Sequence, residues 1–226
     1  MRRIVASALA AATLLAAPAG AQIIVNGGFE TPAPPLGGYN SYSTGSTGLT
    51  GWTVVGASGN VGDVSTTFMQ NGFSFPAHSG NAWLDLTGVS QTATGVAQSF
   101  ATTLGATYNL SFWVGNICNS GGIFGTTSTV KVYNGTSTTS MFSATNSGCT
   151  ANTLYWQQFM TSFVASGTST TLSFVNGDPS NDTSNGLDDV MVTGATGTVP
   201  EPTSLALLGT GLAGLVPIAR RRRVSR

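Results

Sequence analysis

The middle of this sequence has almost no basic side chains. Lys131 is the single lysine or arginine between residues 22 and 198, because every arginine lies at positions 2–3 or 220–226. Seven acidic residues in the same stretch bring its net charge to minus six. They are Glu30, Asp63, Asp85, Asp178, Asp182, Asp188 and Asp189. Nucleic-acid binding draws its affinity from lysine and arginine, so nucleic acid is excluded as a partner, whereas neutral glycans and divalent cations remain compatible.

The sequence also lacks the motifs of common catalytic sites. His78 is the only histidine, and no G-x-S-x-G or H-E-x-x-H pattern is present. We therefore predict that the chain is not an enzyme. One alternative stays open, because a glycosidase needs only two suitably separated carboxylates and Asp85 with another acid could supply them.

Good helix formers are scarce as well. Lysine, glutamate and arginine are nearly absent from residues 22–198, where threonine, serine, glycine and asparagine occupy the polar positions. This composition favours strands and turns. A stretch of about 175 residues is long enough to bury a single core, so we predict one domain over residues 22–198.

Alternating polarity indicates where the strands lie. In residues 108–114, Tyr108, Leu110, Phe112 and Val114 point to one face, which we expect to be the core, and Trp113 points to the other. Further strands are predicted at 22–25, 52–55, 82–86, 96–101, 129–133, 156–164, 170–175 and 188–193, and Trp52 is assigned to the core. Many short strands separated by turns indicate an all-β sandwich or barrel.

Cysteine is limited to two residues, Cys118 and Cys149. Neither belongs to a C-x-x-C pattern or has a histidine nearby, so a metal site is the weaker interpretation. In an oxidising compartment the pair is expected to form a disulfide, which would close a loop of about thirty residues and stabilise the fold by roughly 3–4 kcal/mol.

The N-terminus has the pattern of a secretory signal peptide. Arg2 and Arg3 precede an uncharged stretch rich in alanine and leucine at 4–17, and the small residues Ala19, Gly20 and Ala21 follow it. This pattern predicts a signal peptide over residues 1–21 and export by the Sec route, with the mature chain starting at about Gln22.

The C-terminus predicts a sorting signal. Val199, Pro200, Glu201 and Pro202 precede an uncharged segment at 203–219, which is about long enough for a single membrane helix, and an arginine run follows at 220–223. Residues 199–226 closely resemble the PEP-CTERM sorting signal of bacteria that make exopolysaccharide. The resemblance implies an exosortase as partner, a transient anchor in the inner membrane, and final delivery to the cell surface or extracellular matrix.

The order of several short motifs resembles the galactose-binding-like jelly rolls, a group that includes many carbohydrate-binding modules. The motifs are N-G-G-F-E at 26–30, G-W at 51–52, G-N-A-W-L-D-L at 80–86, A-Q-S-F at 97–100, Y-N-L-S-F at 108–112 and L-D-D-V at 187–190. The resemblance implies a two-sheet antiparallel jelly-roll sandwich. Function varies widely within this fold.

A structural calcium ion is the second implication of the jelly-roll resemblance. Related modules hold Ca²⁺ between the N-terminal Gly-Phe-Glu and the C-terminal Asp pair, which here are Glu30, Asp188 and Asp189. Carboxylates brought together without a basic partner favour such a cation, which takes oxygen ligands. The alternative is that Asp188 closes a turn and Glu30 is solvated.

Sugar binding in such modules depends on aromatic rings that stack on a pyranose, beside amide or carboxylate side chains. The candidates are Trp113 with Asn109 on one face, Trp83 with Asp85 on another, and Tyr39 and Tyr42 in a loop rich in glycine and serine. The alternative for each tryptophan is the core. We therefore expect a non-catalytic module that binds exopolysaccharide, with a structural envelope protein and a carbohydrate-active enzyme as the alternatives.

Overall fold

The computed structural model describes residues 23–88, 93–118, 122, 124–179 and 185–194. The predicted signal peptide, the sorting motif at 199–202 and the predicted span at 203–219 lie outside these residues. Within them the chain forms thirteen strands. The strands are β1 (Tyr39–Ser43), β2 (Thr53–Gly56), β3 (Asn60–Ser65), β4 (Met69–Gln70), β5 (Phe73–Ser74), β6 (Ala82–Asp85), β7 (Thr94–Ala101), β8 (Thr107–Asn116), β9 (Ser128–Asn134), β10 (Phe142–Asn146), β11 (Tyr155–Val164), β12 (Ser169–Asn176) and β13 (Gly186–Gly194).

The strands form two large antiparallel sheets. One sheet has six strands in the order β1-β3-β6-β13-β8-β11, and the other has five in the order β10-β9-β12-β7-β2. Strands β4 and β5 form a small separate hairpin. The last strand, β13, pairs with β6 and β8 near the middle of the larger sheet. The predicted all-β, two-sheet jelly-roll sandwich is confirmed.

The main core lies between the two sheets. Tyr108, Leu110, Phe112 and Val114 of β8 are buried there, as their alternation predicts. Phe112 packs edge-on against Phe174 of the five-stranded sheet, with ring centroids 5.4 Å apart. Truncating such a side chain to alanine typically costs about 3–5 kcal/mol. We call the side of the six-stranded sheet that faces this core its inner face, and the opposite side its outer face.

A second core covers part of the outer face. Its members come from β3, β6 and the loops that cross the sheet: Val64, Phe75, Trp83, Ile117, Phe124 and Leu154. The β4–β5 hairpin contributes Phe73, which packs against Phe124 at 5.3 Å. The part of the outer face under these loops is therefore closed to solvent, and the part on β13, β8 and β11 is less covered.

Two features of the sequence prediction need correction. The predicted strand at 22–25 does not form in the described residues 23–25, although Ile23 N–H bonds to Val192 O. The two-residue strands β4 and β5 were not predicted, and neither were the longer strands β1, β3 and β10. Their residues mix glycine, serine and asparagine with few apolar side chains, so they carry little alternating pattern.

The predicted disulfide is confirmed between Cys118 and Cys149, whose Cα atoms are 5.4 Å apart. Cys118 follows Ile117 of the second core, so the bond fixes the end of β8 to the segment before β11. Among the described residues no helix is long and apolar enough to cross a membrane.

Candidate functional site

Strand register defines an open strip on the outer face of β13, β8 and β11. In adjacent antiparallel strands, residues directly opposite each other project to the same face. Asp188, Trp113 and Gln158 form one row across the three strands. The next row is Met191, Ser111 and Met160, and the row after it is Thr193, Asn109 and Ser162. We call the surface formed by these three rows, without the buried Asp188, the outer strip.

The outer strip combines polar and apolar groups that reach solvent. Asn109, Gln158 and Ser162 are exposed, and Trp113 is half-buried. Met160 is 72% exposed and Met191 is 42% exposed, and they lie on either side of Ser111. A surface of this kind offers amide and hydroxyl groups for hydrogen bonds beside apolar groups for contact.

One end of the strip is closed by Trp156, which lies over a pair of glycines. Gly115 and Gly186 are opposite each other in β8 and β13, and a Cβ on either would come within 2.9 Å of the Trp156 ring. The indole N–H donates to Pro76 O at 2.9 Å. The glycines therefore make room for this ring, and Trp156 separates the covered part of the outer face from the strip.

His78 stacks on Trp113. Their ring centroids are 3.6 Å apart and their planes differ by 17°. His78 Nδ1 lies 2.6 Å from Asp189 Oδ2, and Ser79 Oγ donates to Asp189 Oδ1 at 2.8 Å. The sequence predicted neither the stack nor this hydrogen bond, because His78 and Asp189 are far apart in the chain and no motif connects them.

Asp188 holds the segment that contains His78 and Ser79 through hydrogen bonds to its backbone. His78 N–H donates to its Oδ2 at 2.9 Å, Ser79 N–H donates to the same oxygen at 3.3 Å, and Asp189 N–H donates to Oδ1 at 2.7 Å. Burial and, to a smaller extent, the adjacent Asp189 charge raise the pKa of Asp188 to about 8, against the three hydrogen bonds, which lower it. Asp188 is therefore part of the support that holds His78 against Trp113.

The structure brings the three predicted calcium ligands together around Gly28. A Cβ on Gly28 would lie 3.4 Å from Asp189 Oδ1, 3.7 Å from Asp188 Oδ1 and 4.0 Å from Glu30 Cγ. Glu30 Oε1 also accepts the backbone N–H groups of Asn81 and Ala82, at 2.8 and 3.1 Å. One oxygen each of Asp188 and Asp189 approaches this Cβ position, and the Glu30 side chain passes it with Cγ as its nearest atom. Carboxylate oxygens are ligands that Ca²⁺ takes.

The protein itself satisfies much of this oxygen set. Within the described part of the chain, no group of three histidine, cysteine or acidic side chains is already arranged to hold a metal ion. Because the 78–82 segment donates to the carboxylates of Glu30, Asp188 and Asp189, those oxygens have partners in the absence of an ion. Calcium binding by these residues stays a prediction.

Trp83 is a core residue, which corrects its assignment as a sugar-stacking ring. It is 2% exposed, its indole N–H donates to Phe75 O at 3.0 Å, and its ring stacks on Phe75. It does project to the outer face, but the loop that contains Phe75 covers it there. Alternation in the sequence predicts which face of the sheet a residue projects to. It does not predict whether a loop covers that face.

The remaining predicted ligand residues do not join the strip. Asp85 Oδ1 accepts Thr87 N–H at 2.9 Å and the Thr87 hydroxyl at 2.6 Å, which closes a turn. Burial raises the pKa of Asp85 to about 6 against these hydrogen bonds. Tyr39 and Tyr42 lie on strand β1, not in a loop, at the opposite edge of the sheet from β11. Trp113 and Asn109 are thus the only two of the six that the structure places together.

Asp63 is a buried carboxylate on the inner face. It is fully inaccessible, and within the described part of the chain no donor lies within 3.5 Å of either of its oxygens in hydrogen-bond geometry. Burial raises its pKa to about 7. Asn40, opposite it on β1, lowers the pKa and the Glu30 charge raises it, both to a smaller extent.

Two family models match the chain. One, described as "Protein of unknown function (DUF642)", matches residues 22–193. The other, described as "PEP-CTERM protein-sorting motif", matches residues 198–223. The second match implies an exported protein with a C-terminal sorting signal. No curated protein matches the sequence.

Several solved structures are similar in fold at low identity. The CBM22-1 xylan-binding domain of Paenibacillus barcinonensis Xyn10C is 16% identical with a TM-score of 0.41, over 72% of this chain and 98% of that chain. A family 35 carbohydrate-binding module from Clostridium thermocellum is 8% identical with a TM-score of 0.42, over 69% and 99%. The isomalto-dextranase of Arthrobacter globiformis T6 is 14% identical with a TM-score of 0.42, over 70% of this chain and 24% of that chain. Similarity at this level assigns no ligand or activity.

Proposed function

We propose that this chain, which belongs to the DUF642 family, is an exported non-catalytic protein that binds a neutral glycan of the cell envelope or extracellular matrix through its outer strip. Family membership assigns no activity, since the family is described as one of unknown function. The observation that carries the proposal is the half-buried Trp113, which His78 holds, with the exposed Gln158 opposite it and Ser111 and Asn109 further along β8.

The position of Trp113 suits sugar recognition. An aromatic ring contributes to sugar binding when its orientation is fixed before the ligand arrives, because ordering a free ring would cost entropy. His78 covers one face of Trp113 and is itself held by Asp189, so the indole cannot rotate freely. The proposal requires the apolar side of a pyranose to contact the part of the half-buried ring that His78 leaves uncovered.

The neighbours of Trp113 supply the polar contacts that orient a sugar. Gln158 lies directly opposite it on β11, and Asn109 lies four residues before it on β8. Every second residue of a strand projects to the same face, at a spacing of about 6.8 Å. The row of side chains from Trp113 through Ser111 to Asn109 is therefore roughly 14 Å long and could contact an extended polysaccharide over that length. Several sugar units, each weakly bound, would then contact the strip together.

Charge favours a neutral polymer over an anionic one. Residues 22–198 carry seven acidic side chains against Lys131, and Asp189 lies beside the strip. An acidic polysaccharide would meet repulsion without a basic partner to offset it. We therefore expect the glycan to be uncharged where it contacts the strip.

The C-terminal sorting motif bears on where in the cell the protein would bind a glycan. We propose that an exosortase recognises the motif at 198–223, that the precursor is held transiently in the inner membrane, and that the mature protein reaches the cell surface or matrix. The exopolysaccharide of the producing cell is the first ligand to test in that location.

Binding assays with matched variants test the glycan proposal. Residues 22–198 should bind neutral polysaccharides on a glycan array or in the cell's own exopolysaccharide, and Trp113→Ala should weaken binding by about tenfold or more. Tyr39→Ala is the matched control, since Tyr39 is also an exposed aromatic but lies at the opposite edge of the sheet. Equal loss in both variants, or no binding by the folded wild type, would reject the outer strip as a glycan site.

A further inference from the structure

Strand β11 forms an unusually long open edge. It is the last strand of the six-stranded sheet and, among the described residues, it pairs with β8 alone. It runs for ten residues from Tyr155 to Val164. The strands at the other ends of the two large sheets are shorter. Strands β1 and β10 have five residues each, and β2 has four.

Hydrogen bonds at both ends of β11 show which backbone groups point outward. Ala165 N–H donates to Ala106 O at 2.9 Å, and Asn146 Nδ2 donates to both Val114 O and Tyr155 O, which places these carbonyls between β8 and β11. Backbone groups alternate in direction along a strand, so the odd-numbered residues of β11 bond toward β8. The even-numbered residues from 156 to 164 therefore direct their N–H and C=O groups away from the sheet.

This edge has none of the usual features that prevent strand pairing. Natural sheets protect exposed edges with lysine, proline, bulges or very short strands. Strand β11 contains no charged residue and no proline, and its register with β8 is continuous over all ten residues. The edge is thus a ready template for another strand.

Phe159 indicates which strand would fit. It lies near the middle of β11 and points to the inner face, where it packs against Phe112 with ring centroids 6.2 Å apart. Because β11 is at the edge, the Phe159 ring is only half-buried. A second copy of β11, arranged antiparallel about a two-fold axis at Phe159, would place the same ring opposite and cover the exposed side of both.

We propose that two copies of this chain pair through β11, in antiparallel register with Phe159 at the two-fold axis. Gln158 of one copy then lies opposite Met160 of the other, and Trp156 lies opposite Ser162. These even-numbered pairs use the outward-facing backbone groups and form about eight hydrogen bonds. The two six-stranded sheets become one continuous sheet, and the two outer strips lie on the same side of it.

The pairing is closed and modest in strength. An isologous contact uses the same edge of both copies, so the dimer has no second β11 edge from which a fibre could grow. A strand-to-strand contact of nine residues is smaller than a standard stable interface, so the dimer is expected to form at the high local concentration of a membrane or matrix. The proposal does not depend on glycan binding.

Disulfide trapping in intact cells tests the register. The full chain, exported to the periplasm, should give a species of twice its mass on non-reducing gels when it carries Phe159→Cys, because a non-hydrogen-bonded antiparallel pair brings the two Cα atoms to about 4.5 Å. Thr161→Cys is the matched control, since the two copies of this position are expected to lie roughly 14 Å apart. Crosslinking of neither variant, or of both equally, would overturn the proposed pairing.

Sedimentation of the full chain in mild detergent provides a test without added cysteines. Met160→Lys places a charge on the β11 edge, and Gln158→Pro removes an outward N–H without affecting the ladder to β8. Both should shift the monomer–dimer equilibrium by about tenfold or more toward monomer, whereas Met191→Lys, on the same face of the interior strand β13, should not. A wild type that stays monomeric at all concentrations, or that forms open-ended polymers, would also overturn the proposal.

Discussion

At the scale of single residues, Asp63 is expected to make the stability of the fold depend on pH. Its carboxylate is fully buried, has no well-formed hydrogen bond among the residues that the structure describes, and has a pKa that burial raises from 3.8 to about 7. A group with a higher pKa in the folded state binds its proton more tightly there, so it favours folding at low pH. That contribution is complete below pH 3.8 and is lost as the pH rises to about 7.

The variant Asp63→Asn should remove this pH dependence. The amide has the same shape and no charge, so the variant is expected to gain stability relative to wild type as the pH rises from 4 to 8, by up to about 4 kcal/mol. Urea unfolding of both proteins at pH 4, 6 and 8 measures this difference. Parallel pH profiles for the two proteins would mean that Asp63 is not the buried, uncompensated acid described above.

The sequence correctly predicted which face of the sheet a side chain projects to, but it did not predict which loops cover that side chain. Alternation correctly placed Trp113 on the outer face and Phe112 in the core, because both depend only on the two-residue period of a strand. It could not separate Trp113 from Trp83, since the loop that covers Trp83 comes from another part of the chain. The contact between His78 and Trp113 was missed for the same reason.

At the scale of elements, the 78–82 segment ties two distant parts of the chain. It donates hydrogen bonds to Glu30 near the N-terminus and to Asp188 on β13. A calcium ion held by Glu30, Asp188 and Asp189 would strengthen the same connection, because a ligand that binds only the folded state stabilises it. The melting temperature should then be higher in calcium than in chelator.

Asp188→Asn is the variant that isolates this calcium effect. The amide keeps an oxygen for the His78 and Ser79 N–H groups but weakens cation binding, so the calcium-dependent rise in melting temperature should shrink. At a calcium concentration one hundred times the Kd, the rise corresponds to about 2.7 kcal/mol in the wild type. An unchanged wild-type melting temperature in calcium and in chelator would contradict the predicted site.

Most of the longer strands were predictable from the sequence. Eight of them appear within a few residues of their predicted ranges: β2, β6, β7, β8, β9, β11, β12 and β13. Strand β3 was missed because Gly62 and Asp63 interrupt its apolar pattern, although all six of its residues are buried. Its burial depends on neighbours β1 and β6, which a local pattern does not report.

At the scale of the whole molecule, the region that forms the β-sandwich precedes a sequence that matches a sorting motif at residues 198–223. Replacing Pro200, Glu201 and Pro202 by alanine should leave the precursor in the inner membrane, because the sorting enzyme would lose its recognition motif while the apolar segment remains. Fractionation of the host's membranes and medium measures the result, with alanine replacement of Thr196 and Gly197, which precede the matched motif, as control. Normal release of the motif variant would contradict exosortase sorting.

The central claim is that a glycan contacts the outer strip at Trp113, and indole N–H resonances test it most directly. The domain has four tryptophans, and Trp52 and Trp83 are each 2% exposed, so they serve as internal references. Titration with oligosaccharides from the host's exopolysaccharide should shift the Trp113 resonance and leave those of Trp52 and Trp83 in place. Saturating additions that move no indole resonance, or that move only the buried ones, would contradict the account.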